Sequence, residues 1–441
     1  MAKATQNQRR SASAIRWLAL AAAIPAAPAA HAQAYTEQVL YSFCAQPNCA
    51  DGSVPYAGVI RDSAGNLYGA TSQGGVSARP CSVFGNTGCG VVFKLDAAGN
   101  YSVLHSFTGR DGSNPIGGLV QDPAGNLYGT TSTGGLSANR PPCGAQDLMI
   151  LPGCGVLFKI DATGNYSVLH RFCSHHSKNL NLCVDGQNPN SSLVRDAKGN
   201  LYGTALGGSN SKQKGYPIGA GVVFKLDTAG HYKVLYNFCS QPSCADGIAP
   251  QGIIRDSKGD IYGTAALGGA VGGGVVFKLA ASGGYDVLYN FCSQPNCDDG
   301  SYSAGVIRDA KGSLYGTTYQ GGGSTDGFAE GVVFELDAAG NYSVLYSFNP
   351  SGEPNVPGGP GGLARDSAGN LYGATISDDA LVFKLDTAGN YSVLYDFGGP
   401  GPNGAQGGVI LDSSGNLYGT TAGDQTGGFE EGYGTVFMLK P

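Results

Sequence analysis

A five-residue phrase, Gly-Asn-Leu-Tyr-Gly, recurs seven times with few changes along this chain of 441 residues. Successive copies of its tyrosine lie 46 to 74 residues apart, and a phrase like Val-Val-Phe-Lys-Leu follows every copy. The seven tyrosines are Tyr68, Tyr128, Tyr202, Tyr262, Tyr315, Tyr372 and Tyr418. A repeat of this length is typical of a propeller blade or a solenoid unit, which buries its apolar face against its neighbours.

Each unit predicts four short β-strands, here named A to D. In the first unit these are residues 58–61, 67–71, 91–95 and 101–107, which are rich in β-branched and aromatic residues. The A–B and C–D links begin with Asp and contain Gly, as in Asp-Ser-Ala-Gly-Asn. Such links favour tight hairpins, because Asp bonds to the backbone two residues on and Gly adopts a positive φ.

The two ends of the chain predict a closed ring. A strand-D phrase stands alone at the start, from Val39 to Phe43, and the last unit ends after strand C. The N-terminal strand therefore completes the last blade, whereas a linear array would leave a sheet edge exposed. We predict an all-β, seven-bladed β-propeller of four-stranded antiparallel blades over residues 33–441. The alternative is an open β-solenoid.

Residues 1–32 have the pattern of a signal peptide. A basic segment precedes an Ala-rich apolar stretch, and Ala-His-Ala at residues 30–32 is a cleavage signature. The alternative is a membrane anchor, but the apolar stretch is short and contains two prolines. We therefore expect an exported protein that is secreted, periplasmic or on the cell surface, with no membrane span after cleavage.

Net charge argues against two classes of partner. The whole chain carries −6, and removal of residues 1–32 takes away four basic and no acidic residues, leaving about −10. An acidic surface disfavours nucleic acid and anionic lipid. We expect an extracellular glycan or protein as partner.

Twelve cysteines fall into six local pairs, four just after strand D and two in B–C loops. An even count in an exported protein predicts disulfides, and the alternative is zinc held by two pairs from neighbouring loops. The predicted bridges are Cys44–Cys49, Cys81–Cys89, Cys143–Cys154, Cys173–Cys183, Cys239–Cys244 and Cys292–Cys297. All lie on the face formed by the D–A and B–C loops, which also carries the long, variable loops. We therefore expect a binding scaffold that holds its ligand on this disulfide-stapled face.

Two sets of aspartates recur. The residues that begin the A–B link are predicted to cap hairpins: Asp62, Asp122, Asp196, Asp256, Asp309, Asp366 and Asp412. A second set precedes Gly in the D–A loop and is predicted to bind ligand near the channel mouth: Asp51, Asp111, Asp185, Asp246 and Asp299. Their oxygens could hold Ca²⁺, and the alternative is a simple Asp-Gly turn. No other cofactor is predicted.

The alternative function is an extracellular polysaccharide-active enzyme, a lyase or glycoside hydrolase, with its site at the channel mouth. Such chemistry needs two carboxylates or another acid–base pair around one bond. The candidates are side chains outside the repeat pattern: Asp326, Glu330, Asp424, Glu430, Glu431, His175 and His176. Solvated loop charges are the alternative reading of these residues.

The repeat resembles a known family. Gly-Val-Ile-x-Asp-x-x-Gly-Asn-Leu-Tyr-Gly, followed by Val-Val-Phe-Lys-Leu-Asp and Tyr-Ser-Val-Leu-Tyr-Ser-Phe, is similar to the GloVer tandem repeats of exported bacterial proteins. The Asp-x-x-Gly-Asn-Leu-Tyr hairpin is also similar to those of NHL-type propellers. The resemblance implies an extracellular or surface-bound protein, and the NHL likeness implies a binding scaffold.

Overall fold

The computed structural model describes residues 35–76, 81, 88–135, 153–177, 182–208, 219–323, 331–348, 362–375, 381–397, 407–423 and 432–441. Residues 32–441 form one compact unit. It contains seven four-stranded antiparallel sheets, which confirms the predicted seven-bladed propeller.

Within each blade the strands are hydrogen-bonded in the order A, B, C, D. Their bounds are Ile60–Arg61, Leu67–Thr71, Val91–Leu95 and Tyr101–Ser106 in blade 1; Val120–Gln121, Leu127–Thr131, Val156–Ile160 and Tyr166–Arg171 in blade 2; Val194–Arg195, Leu201–Ala205, Val222–Leu226 and Tyr232–Asn237 in blade 3; Ile248–Arg255, Ile261–Leu267, Val275–Leu279 and Tyr285–Asn290 in blade 4; Ser301–Arg308, Leu314–Gln320, Val332–Leu336 and Tyr342–Ser347 in blade 5; Ala364–Arg365, Leu371–Ala374, Leu381–Leu385 and Tyr391–Asp396 in blade 6; and Ile410–Leu411, Leu417–Thr421, Thr435–Lys440 and Thr36–Ser42 in blade 7. The short strands His176–Ser177 and Leu182–Cys183 also pair, and 3₁₀ turns span Pro47–Cys49, Pro242–Cys244 and Pro295–Cys297.

The N-terminal strand closes the ring as predicted. Thr36–Ser42 pairs antiparallel with Thr435–Lys440, from Thr36 opposite Lys440 to Ser42 opposite Thr435. The two end blades are also joined at their inner edges, where the Thr420 hydroxyl donates to the Ala57 carbonyl at 3.0 Å. The last blade thus contains strands from both ends of the chain.

A buried phenylalanine from strand C forms the centre of each blade. The seven residues are fully buried: Phe93, Phe158, Phe224, Phe277, Phe334, Phe383 and Phe437. Each packs edge-to-face against the phenylalanine that follows strand D of the preceding blade, as Phe43 does on Phe93 at 5.2 Å between ring centroids. The last Gly of the repeat phrase gives room for this ring, because a Cβ on Gly69 would lie 2.5 Å from Phe93.

Strand A has only two residues in five blades, fewer than predicted, and eight residues in blades 4 and 5, where a β-bulge interrupts its pairing with strand B. In blade 4 the A–B pairing shifts between Pro250 and Ile253, and in blade 5 it shifts between Ser303 and Gly305. Elsewhere the part before the bulge survives as an isolated bridge, such as Ser53 with Gln73. A bulge changes the direction of nearby side chains, which otherwise alternate between the two faces of the sheet. Here it sets which residues line the central channel.

Candidate functional site

The bulge of strand A builds a cavity in the central channel. Blades 1 to 5 each contribute to its wall the residue that lies five positions after the D–A loop aspartate. These residues are Tyr56, Ile116, Asn190, Gln251 and Ala304. The cavity measures about 480 Å³ and lies toward the D–A loop side of the channel. Small residues such as Gly58, Gly118 and Gly252 complete the wall. A volume of this size suits a small ligand or the end of a longer one.

Two tyrosines reach the cavity from blades that are not neighbours in the ring. Tyr56 belongs to blade 1, and Tyr319 comes from the end of strand B in blade 5. At the position of Tyr319 the other blades have small or aliphatic residues, such as the buried Ser72 and Ser132. Tyr319 instead keeps 37% of its surface exposed. Blade 5 therefore adds an aromatic ring to the cavity wall at a position where the repeat has a small or aliphatic side chain.

A third tyrosine adjoins Tyr319. The register places Tyr302 opposite Tyr319, between the pairs Ser301–Gln320 and Ser303–Thr318. Tyr302 is 39% exposed and has a φ of +57°, a conformation that bulky residues rarely adopt. Val54, Asn114, Asn188 and Ala249 have the same positive φ at the equivalent position of their blades, so this backbone conformation belongs to the repeat.

The described lining of the cavity carries no charged side chain. Burial raises the pKa of Tyr319, and nearby Tyr56 raises it further, so its hydroxyl stays protonated. Although part of Tyr319 is accessible from the channel, protein atoms surround the ring closely enough to desolvate it. The buried Asn190 Oδ1 has no hydrogen-bond partner among the described residues. An unpaired buried acceptor in a cavity wall is suited to a ligand donor or a water.

The five aspartates of the D–A loops lie away from the channel. Asp51 shows the arrangement: its carboxylate accepts from the Tyr41 hydroxyl at 2.7 Å and from the Ala45 and Gln46 amides. Its carbonyl accepts from the Tyr101 hydroxyl of the next blade. Tyr41 and Tyr101 stack at 3.8 Å, so Asp51 joins the outer strands of two blades. The expected position near the channel mouth is wrong, because the D–A loop turns beside strand D before it crosses inward.

This network recurs at successive blade junctions. Asp51, Asp246 and Asp299 are fully buried, and Asp185 nearly so. His105 and His170 replace the stacking tyrosine in two blades, with Nε2 at 3.0 and 3.3 Å from Asp111 and Asp185. The carboxylates already accept several hydrogen bonds, and within the described parts of the chain no three acidic groups converge on one point. Ligand or Ca²⁺ binding by these residues therefore stays a prediction.

We expect the ionisation of Asp185 to contribute to stability at neutral pH. Burial raises the pKa of Asp185, but His170 and hydrogen bonds from Ser174 and His175 outweigh it and hold the pKa below its usual value. A lowered folded-state pKa gives stability that is present above the unfolded-state pKa near 4 and is lost as the pH falls below it. Urea unfolding of the wild type and Asp185→Asn measures this from about pH 6 to pH 2. The two curves should converge in acid, and a constant gap would contradict the assignment.

His175 is a poor candidate for acid–base catalysis. Its Nδ1 lies 2.9 Å from the Ser174 hydroxyl and 3.8 Å from Asp185, but Ser174 itself donates to Asp185 at 2.6 Å. A catalytic triad needs the imidazole between the serine and the carboxylate, whereas here serine occupies that place. Ser240 and Ser293 make the same bond to their aspartates, so Ser174 belongs to the structural network. The backbone of His176 lies in strand His176–Ser177, and its side chain lies outside the described part.

The other predicted catalytic residues, Asp326, Glu330, Asp424, Glu430 and Glu431, lie outside the described residues. The A–B aspartates cap their hairpins as predicted. In blade 1, Asp62 Oδ1 accepts from the amides of Ala64 and Asn66, and Oδ2 accepts from the Asn66 and Tyr68 side chains. Burial raises the pKa of Asp62, but these bonds outweigh it and hold the pKa below its usual value.

Five of the six predicted disulfides are formed: Cys44–Cys49, Cys81–Cys89, Cys173–Cys183, Cys239–Cys244 and Cys292–Cys297. The sixth prediction includes Cys143, which lies outside the described residues. The sulfur atoms of Cys154, Cys173 and Cys183 lie within 4.8 Å of one another. The zinc alternative requires two pairs of free thiols, but Cys173 and Cys183 are joined by a disulfide and Cys154 is also disulfide-bonded.

The Tyr302 strain predicts a stabilising substitution. Asn114 and Asn188 occupy the equivalent position with the same positive φ, which Asn tolerates better than Tyr. Tyr302→Asn should therefore raise the free energy of unfolding by about 1 kcal/mol. Chemical denaturation measures the change, with Tyr433→Ala as a control at another exposed tyrosine. A loss of stability in Tyr302→Asn would show that the ring itself holds the loop.

The fold and the cavity together define an all-β propeller with a pocket in its channel whose described lining carries no charged side chain. The chain matches the Gloeobacter/Verrucomicrobia repeat family over residues 30–213 and 151–380, and it belongs to that family. This agrees with the GloVer resemblance of the sequence. No curated protein matches the chain. Among the described residues, no helix is long and apolar enough to cross a membrane.

Solved structures share the fold at low identity. The extracellular domain of a putative one-component system from B. thetaiotaomicron matches 93% of this chain at 10% identity and a TM-score of 0.52. The corresponding domain of a putative hybrid two-component system matches 92% at 11% identity, also with a TM-score of 0.52. This chain spans 40% of each. A putative 6-phosphogluconolactonase from Bacteroides uniformis matches 76% of this chain and 85% of its own at 12% identity and a TM-score of 0.46. The likenesses to the two extracellular domains concern the fold alone.

Proposed function

We propose that this protein is an exported propeller that binds a neutral glycan at the mouth of its central channel, on the disulfide-stapled face. The observation that carries the proposal is a cavity whose described lining is uncharged and includes Tyr56 and Tyr319. Aromatic rings offer flat apolar faces for sugar rings, and their hydroxyls donate hydrogen bonds. Asn190 and Gln251 add amide donors and acceptors at the same level.

The charge of the cavity lining indicates which class of glycan it can bind. A uronate or sulfated glycan would need a cationic partner, and the described lining offers none. Neutral hydroxyls match the amide side chains of Asn190 and Gln251, which can donate and accept hydrogen bonds. A neutral saccharide is therefore the ligand class that the cavity suits best.

Export is the second part of the proposal. Five disulfides within the described chain are typical of an oxidising compartment. The basic and Ala-rich pattern of residues 1–32 is that of a signal peptide. Amino-terminal sequencing of the protein after expression in a secreting host tests this, with Gln33 as the expected first residue.

The enzyme alternative has less support from the described part of the cavity. A glycosidase needs carboxylates around the scissile bond, and the described lining contains none. Tyr319 is a poor base because its pKa is raised, so it can donate a hydrogen bond but does not accept a proton at neutral pH. Binding without turnover is the function that this geometry supports.

The experiment is a panel of neutral and acidic oligosaccharides incubated with the oxidised protein. Retention and new reducing ends are both measured. We expect retention of neutral members without products, and a loss of affinity of about tenfold in Tyr56→Ala, with Tyr433→Ala as an unaffected control. If only acidic oligosaccharides are retained, or if Tyr56→Ala binds as the wild type does, the proposed site is wrong. New reducing ends would show that the protein cleaves the oligosaccharide, which would favour the enzyme alternative.

A further inference from the structure

A repeated contact joins neighbouring blades on the hairpin face, opposite the glycan cavity. An arginine at the end of strand A lies over the repeat tyrosine of the preceding blade, with Cζ 5.1 to 5.4 Å from the ring centroid. The four pairs are Arg61 with Tyr418, Arg255 with Tyr202, Arg308 with Tyr262, and Arg365 with Tyr315. These distances are those of cation–π contacts. The slot is thus built to hold a guanidinium group.

Two blades lack the arginine. In blade 7, Leu411 takes its place and packs in the apolar cluster that contains Tyr372, so the slot is filled. In blade 2, Gln121 takes its place, and here a cavity of about 810 Å³ opens between blades 1 and 2. Gln121, Tyr68 and the carboxylate residue Asp62 all line it.

The other neighbours of Tyr68 follow the repeat. Lys94 Nζ lies 5.8 Å from the Tyr68 centroid, as Lys225 does from Tyr202, which also carries an arginine. The lysine position is therefore filled, and the arginine position is the one that is changed. Arg61 and Arg195 also line the cavity, and Asp62 and Asp122 balance their charge.

We infer that the cavity between blades 1 and 2 is a second binding site, which takes a guanidinium cation over Tyr68 in the place of the missing arginine. The cation would come from a small molecule or from an arginine side chain of a partner. The two cavities share Ile60 and Leu119 in their walls, but Tyr68 and Gln121, which define the guanidinium site, do not line the glycan cavity.

The test uses agmatine, which carries a guanidinium group without a carboxylate, and an arginine-containing peptide as the second arm. Calorimetry of the wild type should give affinity in the millimolar range, since one such contact is weak. Gln121→Arg supplies the missing side chain and should weaken binding by about tenfold or more, while its melting temperature does not fall. Tyr68 is only 9% exposed, so Gln121→Ala, which removes the side chain beside it, should bind at least as tightly as the wild type does.

If Gln121→Arg does not fold, Gln121→Leu copies the filled slot of blade 7 and should lose binding in the same way. Unchanged agmatine affinity in the filled-slot variants would overturn the proposal, as would the absence of binding to the wild type. Binding of the peptide but not of agmatine would assign the site to an arginine of a protein partner. Binding of both would show that the site also takes small guanidinium compounds. Neither result depends on glycan binding.

Discussion

A chain that begins at Phe43 should not form the cooperative propeller that residues 33–441 form. The deletion removes strand Thr36–Ser42 and its six paired positions with Thr435–Lys440. It also exposes an unpaired edge next to the fully buried Phe437 and Leu439. We expect a loss of 5 kcal/mol or more, roughly the whole stability of an ordinary domain. Urea unfolding followed by circular dichroism measures it.

A matched control separates the backbone from the side chains of this strand. Gln38 is exposed and pairs with Met438, so Gln38→Ala keeps the ladder and should change stability little. A truncated chain that melts with the same midpoint as the full chain would contradict closure by this strand.

The second large effect is expected at the outer junctions between blades. Asp246 is fully buried and accepts from the Tyr236 hydroxyl at 2.7 Å, the Ser240 amide and hydroxyl, and the Gln241 amide. Asp246→Ala leaves these donors without their acceptor inside the protein. At about 1 kcal/mol for each bond, the substitution should cost about 4 kcal/mol. The free energy of unfolding in urea measures this cost.

The control for Asp246, which is buried, is an aspartate in an exposed hairpin. Asp227 caps an exposed C–D hairpin and accepts from the Ala229 and His231 amides. Asp227→Ala should change stability much less, because water can replace the lost bonds. Equal effects of the two substitutions would show that burial at the blade junction does not set the cost.

The repeat carries most of the information about the fold. Seven copies of one phrase predict seven blades, and the isolated strand-D phrase predicts closure by Thr36–Ser42. Hairpin caps such as Asp62 are local, since donor and acceptor lie two to four residues apart. The five described disulfides are also local. Interactions of this range are encoded in short segments, which is why the sequence alone predicts them.

The site depends on contacts between distant blades, and the sequence predicted it poorly. The β-bulge that turns Gln251 and Ala304 toward the channel follows from strand pairing. The burial of Asp51 follows from two tyrosines that are 60 residues apart in sequence but stack in space. Neither feature has a local pattern.

One signal for the site was present in the sequence. When the seven units are aligned, most positions repeat, but Tyr319 stands where Ser72 and Ser132 stand in blades 1 and 2. A residue that serves the fold is the same in every blade, whereas a ligand meets only some blades and so selects departures from the repeat. Gln121 on the opposite face is found by the same comparison.

The most direct test of the proposed function is to restore the repeat at one position. Tyr319→Ser copies Ser72, whose hydroxyl donates to the Val54 carbonyl, so the variant should fold with unchanged stability. Titration calorimetry with the neutral oligosaccharide that the wild type retains best should show an affinity about tenfold lower. Equal affinity of the two proteins, or no neutral oligosaccharide retained by the wild type, would contradict a glycan site at the channel mouth.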